Sequence, residues 1–592
     1  MKYIISYCKP HNHYIDIEFE ADNINQDELF IQLPAWRPGR YELGNFAKNI
    51  QKWAAFNSEG EALKFIKHTK DCWKIETKGI SKVIVKYNYY AAELNAGSTF
   101  LDGSQLYMNP VNCCVYIPDR MNEVCELILQ LPNDYRVAIG QKETSSNKIS
   151  KNKILDSKEK HYQFQNYHEL ADTPFIASAN LQHKEFICLG TEFNFWFQGE
   201  CKPDWTILTT DFMKFISEQL NIFKHLPQTK YDFLFQILPY KFFHGVEHAS
   251  STVIALGPGY NLMKEKNYED LLGVSCHELF HAWNIKAIRP IEMQPYDYSV
   301  ENYSNLGYVC EGITTYYGDY LLFRSGIFTG NKYFITLAEH LQKHIDNFGR
   351  YNLSVAGSSF DTWLDGYVTG IPHRKTSIYT EGCLLAFVTD IFIRKNSSNI
   401  HSLDAVMCFL YEEFAMKGKG YTEKDYKEIV AHFSSTSYDI IYDNYIQNAA
   451  DYQLILNEAL LYIGCEMMLV PSIKFHEHAL GIKVTEINGA SKITAISPNS
   501  VADNNGASLN DEIVAINNMQ ITRGTSGSNF AEWFNYFSNI PILLRLSTDG
   551  ILKEIELIPQ PNCYYKTVFI KKQLSADESQ KENYYKWSKN IF

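Results

Sequence analysis

His277-Glu278-Leu279-Phe280-His281 is the stretch on which the reading of this chain turns. An α-helix turns by roughly 100° per residue, so histidines four apart stand on one face, one above the other. Both imidazoles can then reach a single ion, and Glu278 stands beside them to take a proton from water. Two imidazoles with room for further ligands suit zinc. Histidines satisfied inside an apolar core would share this spacing, but they would not need a carboxylate between them.

Working outward, Asn267-Tyr-Glu-Asp-Leu-Leu-Gly-Val-Ser-Cys276 predicts the opening turns of the same helix, with Asn267 as N-cap and acidic residues behind it. A catalytic zinc needs a third protein ligand and an open fourth position. Downstream, Tyr308-Val-Cys-Glu-Gly-Ile-Thr-Thr-Tyr-Tyr-Gly-Asp-Tyr320 reads as another helix with a lone acid, Glu311, among apolar and aromatic residues. It lies 30 residues past His281 (311 minus 281), enough for a loop and a returning helix. A buried carboxylate is costly unless paired or metal-bound, which makes Glu311 the expected third ligand. A helix N-terminus satisfying the same carboxylate is the alternative. Asp319 falls two turns further on, on roughly the same face, where it could orient a ligand.

The chain has 592 residues, too long for one core, so several domains are expected. Apolar residues at 45% and aromatics at 14% supply large cores and exclude a disordered chain. A net charge of −13 argues against nucleic acid as partner, because phosphate recognition wants a basic surface. The 13 cysteines include no CxxC pair and show no framework spacing, which points to reduced thiols in a cytoplasmic protein. No apolar run is long enough for a membrane span: the best, Cys383 to Val388, is broken by Thr389-Asp390.

The expected fold class is multidomain α+β. Residues 1–172 read as an all-β domain, with alternating strands such as Tyr14 to Glu20 and Lys82 to Tyr90 and an exposed hairpin or loop at Lys142 to Lys160. Strands continue to about residue 260, notably Tyr231 to Leu238 and Ser251 to Leu256. Residues 267–463 are helical, with 3.6-period stripes at 331–345, 379–395 and 403–415. Together, 173–463 form the catalytic domain. From 470 to 562 the order of elements, opening on Leu480 to Val484, resembles a PDZ domain. The polar tail 563–592 either caps the structure or frays.

Taken together, these residues resemble the glycyl aminopeptidases, metallopeptidase family sixty-one. The resemblance is carried by Pro34-Ala-Trp-Arg-Pro-Gly-Arg-Tyr41, Gly245-Val-Glu-His248, His277 to Pro290, Cys310 to Tyr316 and Ser377-Ile-Tyr-Thr-Glu-Gly382, with the PDZ-like segment behind them. It implies a thermolysin-like catalytic domain holding one zinc through His277, His281 and Glu311, and an aminopeptidase favouring small N-terminal residues. In that reading Glu278 is the general base, Tyr379 an oxyanion donor and Glu247 the partner of the substrate's free ammonium, with Gly245 admitting the substrate backbone. Glu381 departs from the family pattern, which has Lys there. Asn284, Lys286 and Arg289 are expected to tie the metal helix to the sheet, without a catalytic role. The competing functions are a zinc endopeptidase guided by its PDZ-like module, and a peptide-binding scaffold with a silent metal site.

Overall fold

The computed structural model describes residues 1–144, 157–368, 370–521, 529–561 and 563–592. Its N-terminal part is built on a seven-stranded sheet in the order Glu143–Thr144, Ser157–Phe164, Cys125–Pro132, Lys2–Ser6, Tyr14–Asp22, Lys82–Tyr90, Ile50–Phe56. Period-two alternation decides which face is buried: Ile15, Ile17, Phe19 and Ala21 point inward, opposite Val83, Val85, Tyr87 and Tyr89. The expected exposed hairpin or loop falls largely on 145–156, outside the described residues; its flanking strands pair antiparallel.

A second, four-stranded sheet (Arg136–Ile139, Phe175–Ser178, Gln105–Met108, Phe100–Leu101) lies towards the next domain. There Ala96, Tyr107, Ala138 and Ile176 share a small core with Leu234, Val246, Val253 and Ala255 of the following sheet. That following sheet has five strands, ordered Gln182–Cys188, Thr191–Gln198, Lys230–Ile237, Ser251–Gly257, Phe242–Glu247. Phe242–Glu247 is therefore an edge strand, antiparallel to its one neighbour.

Between two of these strands the structure differs from the sequence reading, which expected strands throughout. Trp205–Phe223 is a 19-residue helix, capped by Asp204, whose side chain accepts from the Thr206 and Ile207 N–H groups. Thr191–Gln198 and Lys230–Ile237 pair in parallel, and parallel strands need a crossover. The helix supplies it, burying Leu208, Phe212, Phe215, Leu220 and Phe223.

The helical half follows. The metal helix runs Glu265–Phe280 with Lys264 at its N-cap, so the expected cap at Asn267 is corrected. A 3-10 turn at Gly259–Asn261 brings the chain in early, and Asn267 lies within the first turn. Helices Gly330–Asp346, Ile378–Asn396 and Leu403–Glu413 occupy the three predicted stripes. The run at Tyr308 opens with a π-helical turn, Tyr308–Gly312, before the α-helix Ile313–Arg324. This helix and Ile378–Asn396 touch backbone to backbone: a Cβ on Gly312 would lie 2.2 Å from the Gly382 Cα.

The C-terminal module has its own core, with Leu480, Ile482, Ile493, Ile516, Phe534 and Leu544 under a sheet led by the edge strand Ile482–Ile487. The tail caps rather than frays. Lys566–Lys572 pairs with Cys465–Pro471, and Glu578–Ser588 buries Trp587 against Tyr320, ring centroids 5.4 Å apart. Among the described residues no helix is long and apolar enough to cross a membrane.

Candidate metal centre and substrate cleft

His277 and His281 stand one turn apart at the end of the metal helix, their Nε2 atoms 3.1 Å from each other. The close approach of the next helix is allowed by Gly318, where a Cβ would meet the His277 Cβ at 3.2 Å. Glu311 Oε2 lies 3.3 Å from His281 Nε2. One donor atom from each of His277, His281 and Glu311 falls within 4.8 Å of the others, a spacing that fits three ligands on one ion with bonds of about 2 Å. The set Glu247, Glu278 and His281 meets the same criterion. Two imidazoles with one carboxylate are the better match to zinc, and the second set would tie up both remaining carboxylates.

The ring orientations are held from behind. The His281 Nδ1–H donates to the Asn284 carbonyl at 2.6 Å, turning the Nε2 lone pair towards the site. The Asn284 amide in turn donates to the Val309 and Cys310 carbonyls at 2.9 and 3.0 Å. Those carbonyls belong to the π-helical turn, so one residue locks both parts: its backbone carbonyl holds the second imidazole, and its side chain holds the turn that presents Glu311. On the other side of Glu311, the Tyr41 hydroxyl donates to Oε1 at 3.0 Å.

Electrostatics agree that this is a place for positive charge. Burial works against a charged His281, yet Glu311 outweighs it and lifts the ring to about 10. Burial and the facing His281 hold His277 well below its usual value. Burial also pushes the Glu278 carboxyl well up; His281 opposes this, and Glu247 and Glu311 add to it.

Glu278 and Glu247 are both buried, and each keeps one carboxylate oxygen without a hydrogen-bond partner (Glu278 Oε2, Glu247 Oε1). Such orphaned acceptors are rare in folded proteins unless a ligand completes them. The edge strand presses on the metal helix at Gly245, where a Cβ would sit 2.2 Å from Glu278 Oε1. Glu247 is closed over by Gly39 of the N-terminal domain, at a φ of +81°, whose Cβ would strike its carboxylate at 2.4 Å. A side chain at 39 is excluded on both counts.

Tyr379 is half-buried at the start of its helix, its hydroxyl 3.3 Å from that of Tyr367. Burial, with Glu311 nearby, raises its phenol far above the usual range and keeps it a donor. Glu381 does not face the cleft. It accepts from His344 Nδ1–H at 3.1 Å, while His344 Nε2 accepts the Tyr452 N–H. The departure from Lys at this position is thus absorbed by a buried pair behind the site. Asp319 is engaged by His340 Nε2 at 3.6 Å rather than by His277 or His281.

Lys286 binds Asp172 at 2.6 Å, and His248 Nδ1 meets the same carboxylate at 3.1 Å. Burial opposes the ionised Asp172, but Lys286 and His248 hold its carboxyl far below the usual range. Arg289 lies over the Tyr296 ring, 4.2 Å from its centroid. Lys286 therefore ties the metal helix to the N-terminal domain through Asp172, rather than to the sheet as expected. Asp172, Tyr41 and Gly39 carry no metal-ligand or acid–base spacing of their own. Gly39 and Tyr41 are signalled only by the motif Pro34 to Tyr41, and Asp172 lies in no motif of the sequence reading.

Residues 2–179 match the family model for the peptidase M61 N-terminal domain, and residues 270–385 that for M61 glycyl aminopeptidase. No curated protein matches the chain. Among solved structures, an aminopeptidase N family protein from Idiomarina loihiensis is 24% identical with a TM-score of 0.87, covering 99% of both chains; it shares the fold throughout. An M1 zinc metallopeptidase from Deinococcus radiodurans, bound to a Tyr-Ser-Ala substrate, is 11% identical with a TM-score of 0.48 over 76% of this chain and 94% of its own.

Proposed function

We propose that this chain, which belongs to the M61 peptidases by both of its family domains, is a zinc aminopeptidase that releases small N-terminal residues, Gly or Ala, from peptides. The observation that carries the reading is the convergence of His277, His281 and Glu311 beside two uncommitted buried carboxylates. The donor set fits one zinc per chain, which when bound supplies Lewis acidity to polarise a peptide carbonyl and acidify a water.

Glu278 takes the proton of the attacking water and returns it to the leaving amine. Its position against Gly245 brings the base to the edge strand, where a peptide backbone can lie close. Glu247 receives the substrate's ammonium: a buried carboxylate lacking a cation is a poor host for a blocked or continuing chain. The Tyr379 hydroxyl donates to the developing oxyanion. Closure of Glu247 by Gly39 favours exopeptidase over endopeptidase action, because little chain can pass beyond the ammonium.

Domains are assigned as 1–172, 173–463 and 470–562, with a tail at 563–592. The third is read as PDZ-like and docked on its own chain, supported by the Lys483–Asp346 ion pair and by His373 Nε2, 3.3 Å from the Ile496 carbonyl. Thirteen free cysteines support a cytoplasmic setting.

The test is a panel of aminoacyl reporter amides, with free and acetylated N-termini, assayed before and after chelation. Hydrolysis of free Gly and Ala amides, abolished by chelator and restored by zinc, is the expected result. Equal cleavage of acetylated substrates would exclude the aminopeptidase assignment.

A further inference from the structure

We propose that Arg37 is a specificity-determining residue that receives a carboxylate of the substrate. The proposal rests on the aminopeptidase reading, which places the ammonium at Glu247, and it names what the other charge of the ligand meets.

Arg37 is 5% exposed, and among the described residues the one hydrogen bond of its guanidinium runs from Nη1 to the Pro38 carbonyl at 3.2 Å. Among the described residues no carboxylate lies within ion-pair distance of it. A buried guanidinium without a counterion is strongly unfavourable, so a fold that keeps one must complete it with something else. Burial pulls the group below its ordinary value and Glu247 opposes the pull: the two charges bear on each other without pairing. Gly39, two residues along the loop, is the segment that covers Glu247. An unmatched cation and an unmatched anion therefore flank one glycine.

The surroundings of Arg37 form a built site. Its guanidinium lies against Gly97, where a Cβ would meet Nη2, Cζ and Nε at 2.2–2.4 Å, so the plane of the fork is held. It lines a cavity of about 500 Å³ together with Arg40, Lys48, Thr99 and Asn112 and the acids Glu42 and Glu93, the latter accepting from the Asn95 amide. Arg40 is already met by Glu42. Asn112 is 2% exposed; its amide donates to the Gly97 carbonyl at 2.9 Å, and its Oδ1 has no partner. A fixed fork of donors suits a carboxylate, and a free amide oxygen suits a peptide N–H.

That carboxylate has two possible sources: the α-carboxylate of a short peptide, or an acidic side chain at its second residue. Calorimetry on protein carrying Glu278→Gln separates them by measuring binding of glycylglycine against glycylglycinamide, and of glycyl-glutamic acid α-amide against glycyl-glutaminamide. The carboxylate member of one pair is expected to bind about 10–100-fold more tightly. A preference in the first pair assigns the chain end, a preference in the second the side chain. Adding Arg37→Met abolishes the preference, and Arg37→Lys, which keeps the charge but loses the fork, restores part of it. Thermal unfolding confirms that each variant is folded, and the Lys variant carries the test should the Met variant not be. Absence of preference in both pairs, or its survival in the Arg37 variants, overturns the proposal. Failure of the wild type to hydrolyse alanyl anilides would instead overturn the aminopeptidase reading, while the binding comparison still decides Arg37.

Discussion

Tyr41 donates its phenolic hydrogen to Glu311 Oε1 at 3.0 Å, across 270 residues of chain. The contact makes the N-terminal β domain part of the proposed metal centre, since a donor behind a carboxylate that ligates an ion would fix which oxygen faces it. Tyr41→Phe is expected to weaken zinc binding about 10–100-fold with the fold intact. Competition with a chromophoric chelator measures this, and an unchanged affinity would reduce the contact to packing.

Glu278→Gln and His281→Ala separate chemistry from metal retention. The first is expected to keep stoichiometric zinc and lose about 10²–10⁴ in kcat, the range for a general base. The second is expected to lose the zinc. Metal analysis beside steady-state kinetics reads both, and a Glu278→Gln enzyme at wild-type rate would remove Glu278 from the mechanism.

Glu247→Gln is expected to lower kcat/KM for free aminoacyl amides about 10²–10³-fold, roughly 3–4 kcal/mol, by removing the partner of the ammonium. Acetylated amides, poor substrates from the start, should change little. If both classes fall in parallel, Glu247 is holding the strand rather than the amine.

Gly382→Ala tests the helix crossing. A Cβ there would lie 2.6 Å from the Gly312 Cα and from the Tyr308 carbonyl oxygen, backbone atoms that cannot swing aside. Overpacking on this scale costs about 3 kcal/mol, and it displaces Glu311 and Tyr379 together. A lower Tm with reduced zinc affinity is the expected pair of effects; loss of neither would mean that the helices separate freely.

Asp232 gives the pH dependence a sign. Burial raises its carboxyl to about 6, against the opposing pull of Lys230 at 2.9 Å. The folded state thus binds the proton more readily than the unfolded chain, whose Asp titrates near 4. The contribution to stability is complete below pH ~4 and is lost as pH rises through about 6, a change of about 3 kcal/mol. Asp232→Asn should flatten Tm between pH 4.5 and 7.5 relative to wild type. Parallel profiles would refute the shift.

The chemistry of this chain is more legible in its sequence than the support for it. His277, Glu278 and His281 declare themselves because helical spacing alone places them together, and Glu311 because an acid among tyrosines needs a reason. The helix Trp205–Phe223 was missed although Leu208, Phe212, Phe215 and Phe223 keep helical spacing. Its Thr, Ile and Phe content reads as strand, and only parallel pairing of its neighbours demands a crossover. Asn284 could be suspected from its place after the metal helix, but not its grip on Val309 and Cys310, which depends on a π-turn that no residue pattern announces. Tyr41, Arg37 and Asp172 were beyond local reading altogether, since each acts on a partner more than 75 residues away in sequence.

The Asp172–Lys286 bond, buried on the lysine side and spanning the two domains, bears on protein engineering. A chimera that grafts the catalytic half onto a foreign β domain inherits an ammonium with no anion, an uncovered Glu247 and a Glu311 missing its hydroxyl donor. Transplanting the loop Pro34–Tyr41 and the Asp172 turn as one cassette is the minimal graft that restores all three.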